Sequence, residues 1–567
     1  LKTNELKQIF SAFENQRTNQ LPDTLGEPSG QKLEQTYLSV TATNHTSSTY
    51  TFSSCGSTSM EALKHILHKY INTIDTTHFT IRGLKLDFIL SANPYENFST
   101  AEEAEGEKLP FKRGTDGLAF GNDLAYVLLP EEVRGHDVLP KKVLSLDAAV
   151  NALNEQVSTP ALVKEDLQHL PFFRIRRSSY YVDPSSTVKL RNGLYVHRSI
   201  NADQLRKAIE WTNRFYFQNI VKKDGSFIYT YDPALRIEVD DYNMLRHAGT
   251  AYSMLETYEI TGTDEVFYNA ERALEFLAGS TAPVETKDGE GAVLLDEGYR
   301  KLGGNGLAMV ALAKYTELTN DDRYLPLMRK LGRWIIDTMD EEGKFTIHKQ
   351  RHTTGEVREF ESLYYPGEAM LGLLRLQAVE TAEDTQWKDA AAKASRYIIH
   401  VRDKDVTKDT VEHDHWQLYA LNDLHKFEED PIFQKQAYFI ANAIMSTQMI
   451  NEAKHPSWIG GFTVPRLPPE PTSTACRSEG LSACWELATR TGDDAYAKRL
   501  LASVQASVRF QLQFQLRPGS IVHYKDPLLT LGAVQRTFAS PELRIDYTQH
   551  NISSFCALYQ MLNRTKF

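Results

Sequence analysis

Six short stretches of this sequence carry polar, ionisable or glycine residues straight into apolar runs, and their residue types suit acid–base chemistry. The first is Asp240-Asp241-Tyr242-Asn243-Met244-Leu245-Arg246-His247. The second, Tyr299 to Gly306, contains Arg300 and Asn305, and the third contributes Glu361, Tyr364, Tyr365 and Glu368. The fourth is Glu412-His413-Asp414-His415-Trp416, the fifth supplies Arg466, Arg477 and Glu479, and the sixth Asp546, Tyr547, Gln549, His550 and Asn551. Two carboxyl groups across a cleft supply a general acid and a base or nucleophile. Asp241, Glu412 and Asp546 form the candidate pool for those catalytic roles, with Glu361 in reserve. Tyr242, Tyr365 and Trp416 offer flat faces for stacking, and Arg246, Arg477 and His550 can hold hydroxyl or carboxylate groups. Asn243, His247, Asn305, Tyr364, Glu368, His413, His415 and Glu479 complete the candidate substrate contacts.

Structural roles compete with each assignment. Asp241, Glu368 and Glu479 are placed to serve as acids at helix N-termini. His247 and His550 lie on apolar helices where a histidine can be a satisfied core residue, and Tyr364 and Tyr365 are equally suited to packing. No metal centre is assigned: His413 and His415, two apart, point to different faces of a helix. A zinc site would need Cys476 or another histidine beside them. No cofactor is expected.

The elements that must position these groups are helices. From residue 202 onward the pattern is helix after helix: 202–220, 242–260, 264–279, 304–318, 321–339, 366–379, 385–401, 413–427, 431–450, 475–491, 493–516 and 547–562. Junctions such as Thr261-Gly262-Thr263-Asp264, Thr319-Asn320-Asp321-Asp322 and Thr491-Gly492-Asp493-Asp494 repeat one grammar, closing one helix and capping the next. Such self-similarity predicts repeated helical hairpins, six of them closed into a ring. Links leading back into the apolar helices are longer and carry β-hairpin signals at 224–231, 342–347, 460–465 and 519–524. Long loops on one face of a rigid scaffold are where sites concentrate. The expected fold is therefore mainly α, an (α/α)6 toroid over 196–567. It follows a smaller α+β domain over 31–195 and an N-terminal extension over 1–30, a helix-like start and a loop.

In that α+β domain strands are predicted at 38–52, 79–90, 118–129 and 172–182, with helices at 60–70 and 146–153. The basic run Arg174-Ile175-Arg176-Arg177 reads as a solvated strand edge. The succession Gly114-Thr115-Asp116-Gly117-Leu118-Ala119-Phe120, Tyr126-Val127-Leu128-Leu129-Pro130, Leu146-Asp147-Ala148-Ala149-Val150 and Phe173-Arg174-Ile175-Arg176 resembles the element order of the AMMECR1 domain, which implies no reaction.

In the helical part, Tyr365-Pro366-Gly367-Glu368-Ala369-Met370 is similar to the "PGH-A-I" helix of N-acylglucosamine 2-epimerases, and Tyr242-Asn243-Met244-Leu245-Arg246-His247 to their "N-x-M-H" helix. Glu368 stands where that family has histidine, so its two-histidine proton exchange does not carry over through this motif. Arg300 to Gly306 resembles the "R-G-N-G" turn of unsaturated glucuronyl hydrolases, interrupted here by inserted residues. These resemblances imply a carbohydrate-active toroid.

Composition bounds the alternatives. At 567 residues with 41% hydrophobic content the chain can bury a large core, and no apolar run is long enough to span a membrane as a helix. The net charge of -11 argues against a nucleic-acid partner, which demands a basic surface. Four cysteines are too few for a disulfide scaffold, and Cys476 and Cys484, eight apart on one helix, stand about 12 Å apart, beyond disulfide reach. The Gln-, Asn-, Thr- and Ser-rich first fifty residues favour a periplasmic or secreted protein. The reading is a glycan-processing enzyme, foremost a glycoside hydrolase. An epimerase or lyase working through His or Tyr proton abstraction is the alternative, and a non-catalytic helical binding scaffold the outsider.

Overall fold

The structure, a computed structural model, describes every residue of the chain except 28–29, 31–32, 46–48, 157–160, 381–383, 452–454 and 565–567. The chain forms two compact units. One comprises Leu1–Val196, Tyr231–Glu238 and Gln513–Leu543; the other comprises His197–Thr230, Val239–Leu512 and Arg544–Phe567. The helical pattern alone predicts an uninterrupted 196–567 block, because the segment 513–543 has the loop composition of one more link in the ring.

The first unit is built on an antiparallel sheet. Its strands are β1 (Thr36–Thr43), β2 (Thr49–Gly56), β3 (Gly83–Pro94), β4 (Gly117–Phe120), β5 (Tyr126–Leu128), β6 (Phe172–Val182) and β7 (Thr187–Leu190). The order is β2-β1-β3-β6-β4-β5, with β7 also paired to β6. The N-terminal helix is not an appendage: Thr3–Glu14 buries Leu6, Ile9, Phe10, Ala12 and Phe13, which join the core beneath β1, β2 and the helix Ser59–Thr73. Thr3–Glu14 is the helix-like start that the sequence predicts.

The basic run also departs from expectation. β6 is an interior strand, and Arg177 is buried between Asp87 Oδ1 at 2.9 Å and Glu131 Oε1 at 2.6 Å. Lys85 closes the cluster at 2.9 Å from Glu131. Two cations facing two carboxylates make their joint burial tolerable, where a lone charge would not be.

The second unit is a closed ring of helical hairpins. Its inner helices are Met244–Thr261, Leu302–Thr319, Tyr365–Val379, His415–Phe427, Pro471–Arg490 and Ile545–Arg564, here the first to the sixth. Each packs on the next, and the sixth returns to pack on the first. The outer helices run from Ala202, Asp264, Leu325, Gln386, Pro431 and Asp494. Inner helices are buried almost all round: every residue from Leu302 to Tyr315 is buried, as befits a helix enclosed by others. Outer helices bury one stripe, such as Val266, Ala270, Ala273, Leu274 and Leu277. Side-chain caps at Asp430 and Asp493 accept hydrogen bonds from Ile432 and Tyr496, as the junction grammar predicts.

Because every inner helix is entered from an outer one, all six run the same way, and their N-terminal ends gather on one face. The anticipated hairpins at 342–347 and 460–465 are reduced to single bridges, 224–231 keeps one bridge at Phe227 and ends in the short strand Thr230–Asp232, and 519–524 begins with a 3-10 turn, Pro518–Ser520, in the first unit. The extended ribbon lies elsewhere. Thr281–Thr286 pairs with Gly289–Asp296, continuing through Tyr299–Lys301 to Lys349–Arg351. The Asp288-Gly289 turn is its sequence signal.

Candidate functional site

The centre of the ring is held open to polar groups by glycines on the inner helices. A Cβ on Gly303 would lie 1.8 Å from Glu368 Oε2, and one on Gly480 would lie 3.0 Å from the His415 Cα. Gly306 and Gly372 let the second and third helices touch backbone to backbone, with a Gly372 Cβ position 2.5 Å from the Gly306 carbonyl oxygen. Small residues thus bring the starts of neighbouring helices close enough for their side chains to share one space.

That space holds a cluster from four inner helices. Glu368, 3% exposed, has its Oε2 buried without a hydrogen-bond partner. Burial, reinforced by the nearby Asp414 carboxylate, pushes its pKa up to about 8. Asp414, equally buried, is pushed up to about 7 by desolvation, although it caps the fourth helix by accepting from the Trp416 amide at 2.9 Å. His415 is buried with both ring nitrogens unpartnered, and burial holds its pKa well below the usual imidazole range. His550 sits 2.8 Å from Glu479 Oε2, and its interactions with Cys476 and Glu479 overcome desolvation and raise its pKa well above 6.5. The rings of His415 and His550 are 5.3 Å apart, with Trp416 4.4 Å from His415.

A second group joins the first and sixth helices. Arg544 holds both oxygens of Asp546 at 2.6 and 2.8 Å, and Arg246 reaches Asp546 Oδ2 at 3.1 Å and Tyr229 at 2.7 Å. Tyr365 stands between the groups, within electrostatic reach of Glu368, Asp296 and Arg246. Towards the surface, Tyr364 donates to Glu412 at 2.5 Å, and Arg477 donates to His413 Nδ1 at 3.1 Å.

Other anticipated residues are placed differently. His247 is fully buried; Nε2 donates to the Ala273 carbonyl at 2.8 Å on an outer helix, and Nδ1 takes the Tyr242 hydroxyl at 2.7 Å. It therefore ties inner to outer helix, while Tyr242, which also accepts from the Phe227 amide at 3.0 Å, ties the inner helix to the link that precedes it. Asn305 spends its amide on backbone, accepting from Leu294 at 2.7 Å and donating to Lys301 at 2.8 Å. Asn243 caps the first helix and reaches Asp296 at 3.2 Å. Asp241 is exposed before that helix, and Glu361 is an exposed partner of Lys344 at 3.1 Å. Groups the sequence did not single out are Arg544, Asp296, Lys301 and Tyr229; Asp296 and Lys301 pair at 2.6 Å. Tyr229 lies on a link and Asp296 on a strand, away from the helix starts, whereas Lys301 and Arg544 end short strands that run directly into the second and sixth inner helices. A separate cavity of about 870 Å³ opens at the opposite ends of the inner helices, lined by Tyr252, Glu256, Lys314, Arg375, Tyr419 and Glu486 among others.

Fold and centre together define a six-hairpin toroid with buried acids and histidines at the shared N-terminal end of its inner helices. Among solved structures it is similar to a D-mannose isomerase (13% identity, 64% of this chain and 98% of that one, TM-score 0.48). It is likewise similar to the cellobiose 2-epimerase of Bacillus thermoamylovorans B4167 (14%, 64% and 99%, 0.48) and the GH76A α-1,6-mannanase of Salegentibacter sp. HEL1_6 (12%, 64% and 100%, 0.45). These values carry no inference about the reaction, and the toroid rests on the helix contacts above. No family model and no curated protein sequence matches the chain, so the AMMECR1 resemblance at 114–176 stands on its short motifs alone.

Proposed function

We propose that the helical unit is a carbohydrate-processing enzyme, foremost a glycoside hydrolase, with its reaction centre at the N-terminal ends of the inner helices. The observation that carries this reading is the buried pair Glu368 and Asp414, two neighbouring carboxyl groups with raised pKa values. Hydrolysis of a glycosidic bond requires one carboxyl group that keeps its proton at neutral pH and delivers it to the leaving oxygen. Glu368, near 8, suits that role better than Asp241 or Glu361, which are exposed. Asp546 and Glu412 are candidates for the second carboxylate, and Tyr365 and Trp416 for the walls against which a sugar ring stacks.

One arrangement favours a second reading. A neutral, unpartnered His415 facing a protonated His550 at 5.3 Å is the pairing that proton removal and return at one carbon would use, as in epimerisation. The test is a panel of neutral and acidic oligosaccharides and polysaccharides, assayed for reducing-end release, unsaturated product and solvent deuterium uptake. Reducing ends released by the native chain, lost in Glu368→Gln and declining above about pH 8, support hydrolysis. Deuterium entering an intact sugar moves the assignment to the histidines. If no saccharide binds or changes, the scaffold reading replaces both.

A further inference from the structure

The cluster at the ring centre contains a donor set that neither reading uses as such. One ligand atom each from His415, Cys476, Glu479 and His550 can be chosen so that all lie within 4.8 Å of one another. We propose that these four residues bind a single transition-metal ion, with zinc the ion their chemistry best fits.

The geometry follows from the fold. Cys476 and Glu479, three apart on the fifth inner helix, share a face. His415 opens the fourth helix and His550 lies on the sixth, so the two neighbours of the fifth helix bring their imidazoles to that face. Gly480 permits the approach, since its missing side chain would meet the Cα and Cβ of His415 at 3.0 and 3.1 Å. His413 turns instead to Arg477, and Cys476 and His550 supply the donors beside His415.

His415 points independently to a ligand. It is 5% exposed, yet neither ring nitrogen has a hydrogen-bond partner, an expensive state for a buried imidazole and one that a metal bond at one nitrogen would relieve. Donors around tetrahedral zinc are separated by about 3.3–3.7 Å, given bonds of about 2.0–2.3 Å. Closing from the present spacing takes side-chain shifts of about 1 Å. Two imidazoles, a thiolate and a carboxylate suit zinc, whereas magnesium and calcium prefer oxygen alone. Cys476 would bind as thiolate, its proton passing to solvent.

The inference does not rest on a sugar reaction, and its readout is metal binding. It nevertheless bears on the two readings above, because an ion here engages both imidazoles and leaves proton delivery to Glu368. The full chain, stripped with a chelator, is titrated with cobalt(II). Expected are one ion per chain, a thiolate-to-cobalt charge-transfer band, the strong visible bands of four-coordinate cobalt, and displacement by zinc(II). Cys476→Ser should abolish the charge-transfer band, and His415→Ala should weaken binding at least about tenfold. Cys484→Ser, at a buried thiol two turns further along the same helix, should bind cobalt as the native chain does. Circular dichroism establishes that each variant folds, and His550→Gln replaces any that does not. Substoichiometric binding, or a charge-transfer band that survives in Cys476→Ser, overturns the proposal.

Discussion

Replacing Gly303 with alanine tests how the centre of the ring is built. The new methyl group would start 1.8 Å from Glu368 Oε2 and 2.5 Å from Tyr365 Cδ1, whereas real Cβ contacts essentially never fall under 3.0 Å. The carboxyl group must therefore retreat by more than about 1 Å, from a site packed as tightly as the rest of the interior. Gly304, the next residue on the same helical turn, is the internal control, because its Cβ would meet nothing nearer than Leu294 Cδ2 at 3.7 Å. Both substitutions gain about the same helix propensity, up to about 1 kcal/mol, so that contribution cancels between them. What remains is overpacking, about 1–3 kcal/mol. Gly303→Ala should be less stable than Gly304→Ala by that amount in equilibrium chemical denaturation, and truncating Glu368 to alanine in the Gly303→Ala background should recover part of the loss. A shift of about 1 Å at a reacting group should also lower turnover about a hundredfold. If the two alanine variants agree within about 0.5 kcal/mol, the account of Glu368 seated over Gly303 is wrong.

Two other predictions follow from buried charge. Glu256, raised to about 7 chiefly by burial, holds its proton in the folded ring at a pH where an ordinary glutamate has lost it. Its contribution to stability is therefore complete below about pH 4.5 and lost as pH rises through about 7; Glu256→Gln should flatten that part of the stability-against-pH curve in denaturant midpoints. In the first unit, Arg177→Ala strands the Asp87 and Glu131 carboxylates beside Lys85 alone and should cost about 3–5 kcal/mol. Arg177→Met together with Asp87→Leu should cost less, and a smaller loss for the single variant than for the pair would count against the ion cluster as drawn.

The ring was legible because helical period and junction chemistry are local: inner helices such as Leu302–Thr319 announce themselves by a long apolar run, and outer helices such as those from Pro431 and Asp494 by the aspartate that caps them. The helix starts that gather at the centre were legible for the same reason. What a side chain does once there depends on non-local neighbours. His247 and His550 sit in similar apolar contexts in the sequence, yet one faces an outer helix and the other Glu479. Asp241 and Glu368 both precede apolar runs, but only Glu368 is roofed over, by the glycines of the neighbouring helix. Cys476 has Glu479 on its own helix but draws His415 and His550 from two other hairpins, a fact no spacing within its own helix discloses.

The excursion of residues 513–543 has a consequence for synthesis. The last inner helix, Ile545–Arg564, follows a segment assigned to the first unit. On a ribosome, the α+β unit therefore lacks part of its fabric until residue 543 has emerged, and the ring lacks its closing helix for slightly longer. Neither unit can mature while the other is only being begun, and a single cut after Val196 yields no intact piece. Both are completed only by residues 513–564, so apolar surface stays unfinished until that stretch has emerged, which makes that interval the natural point for chaperone engagement.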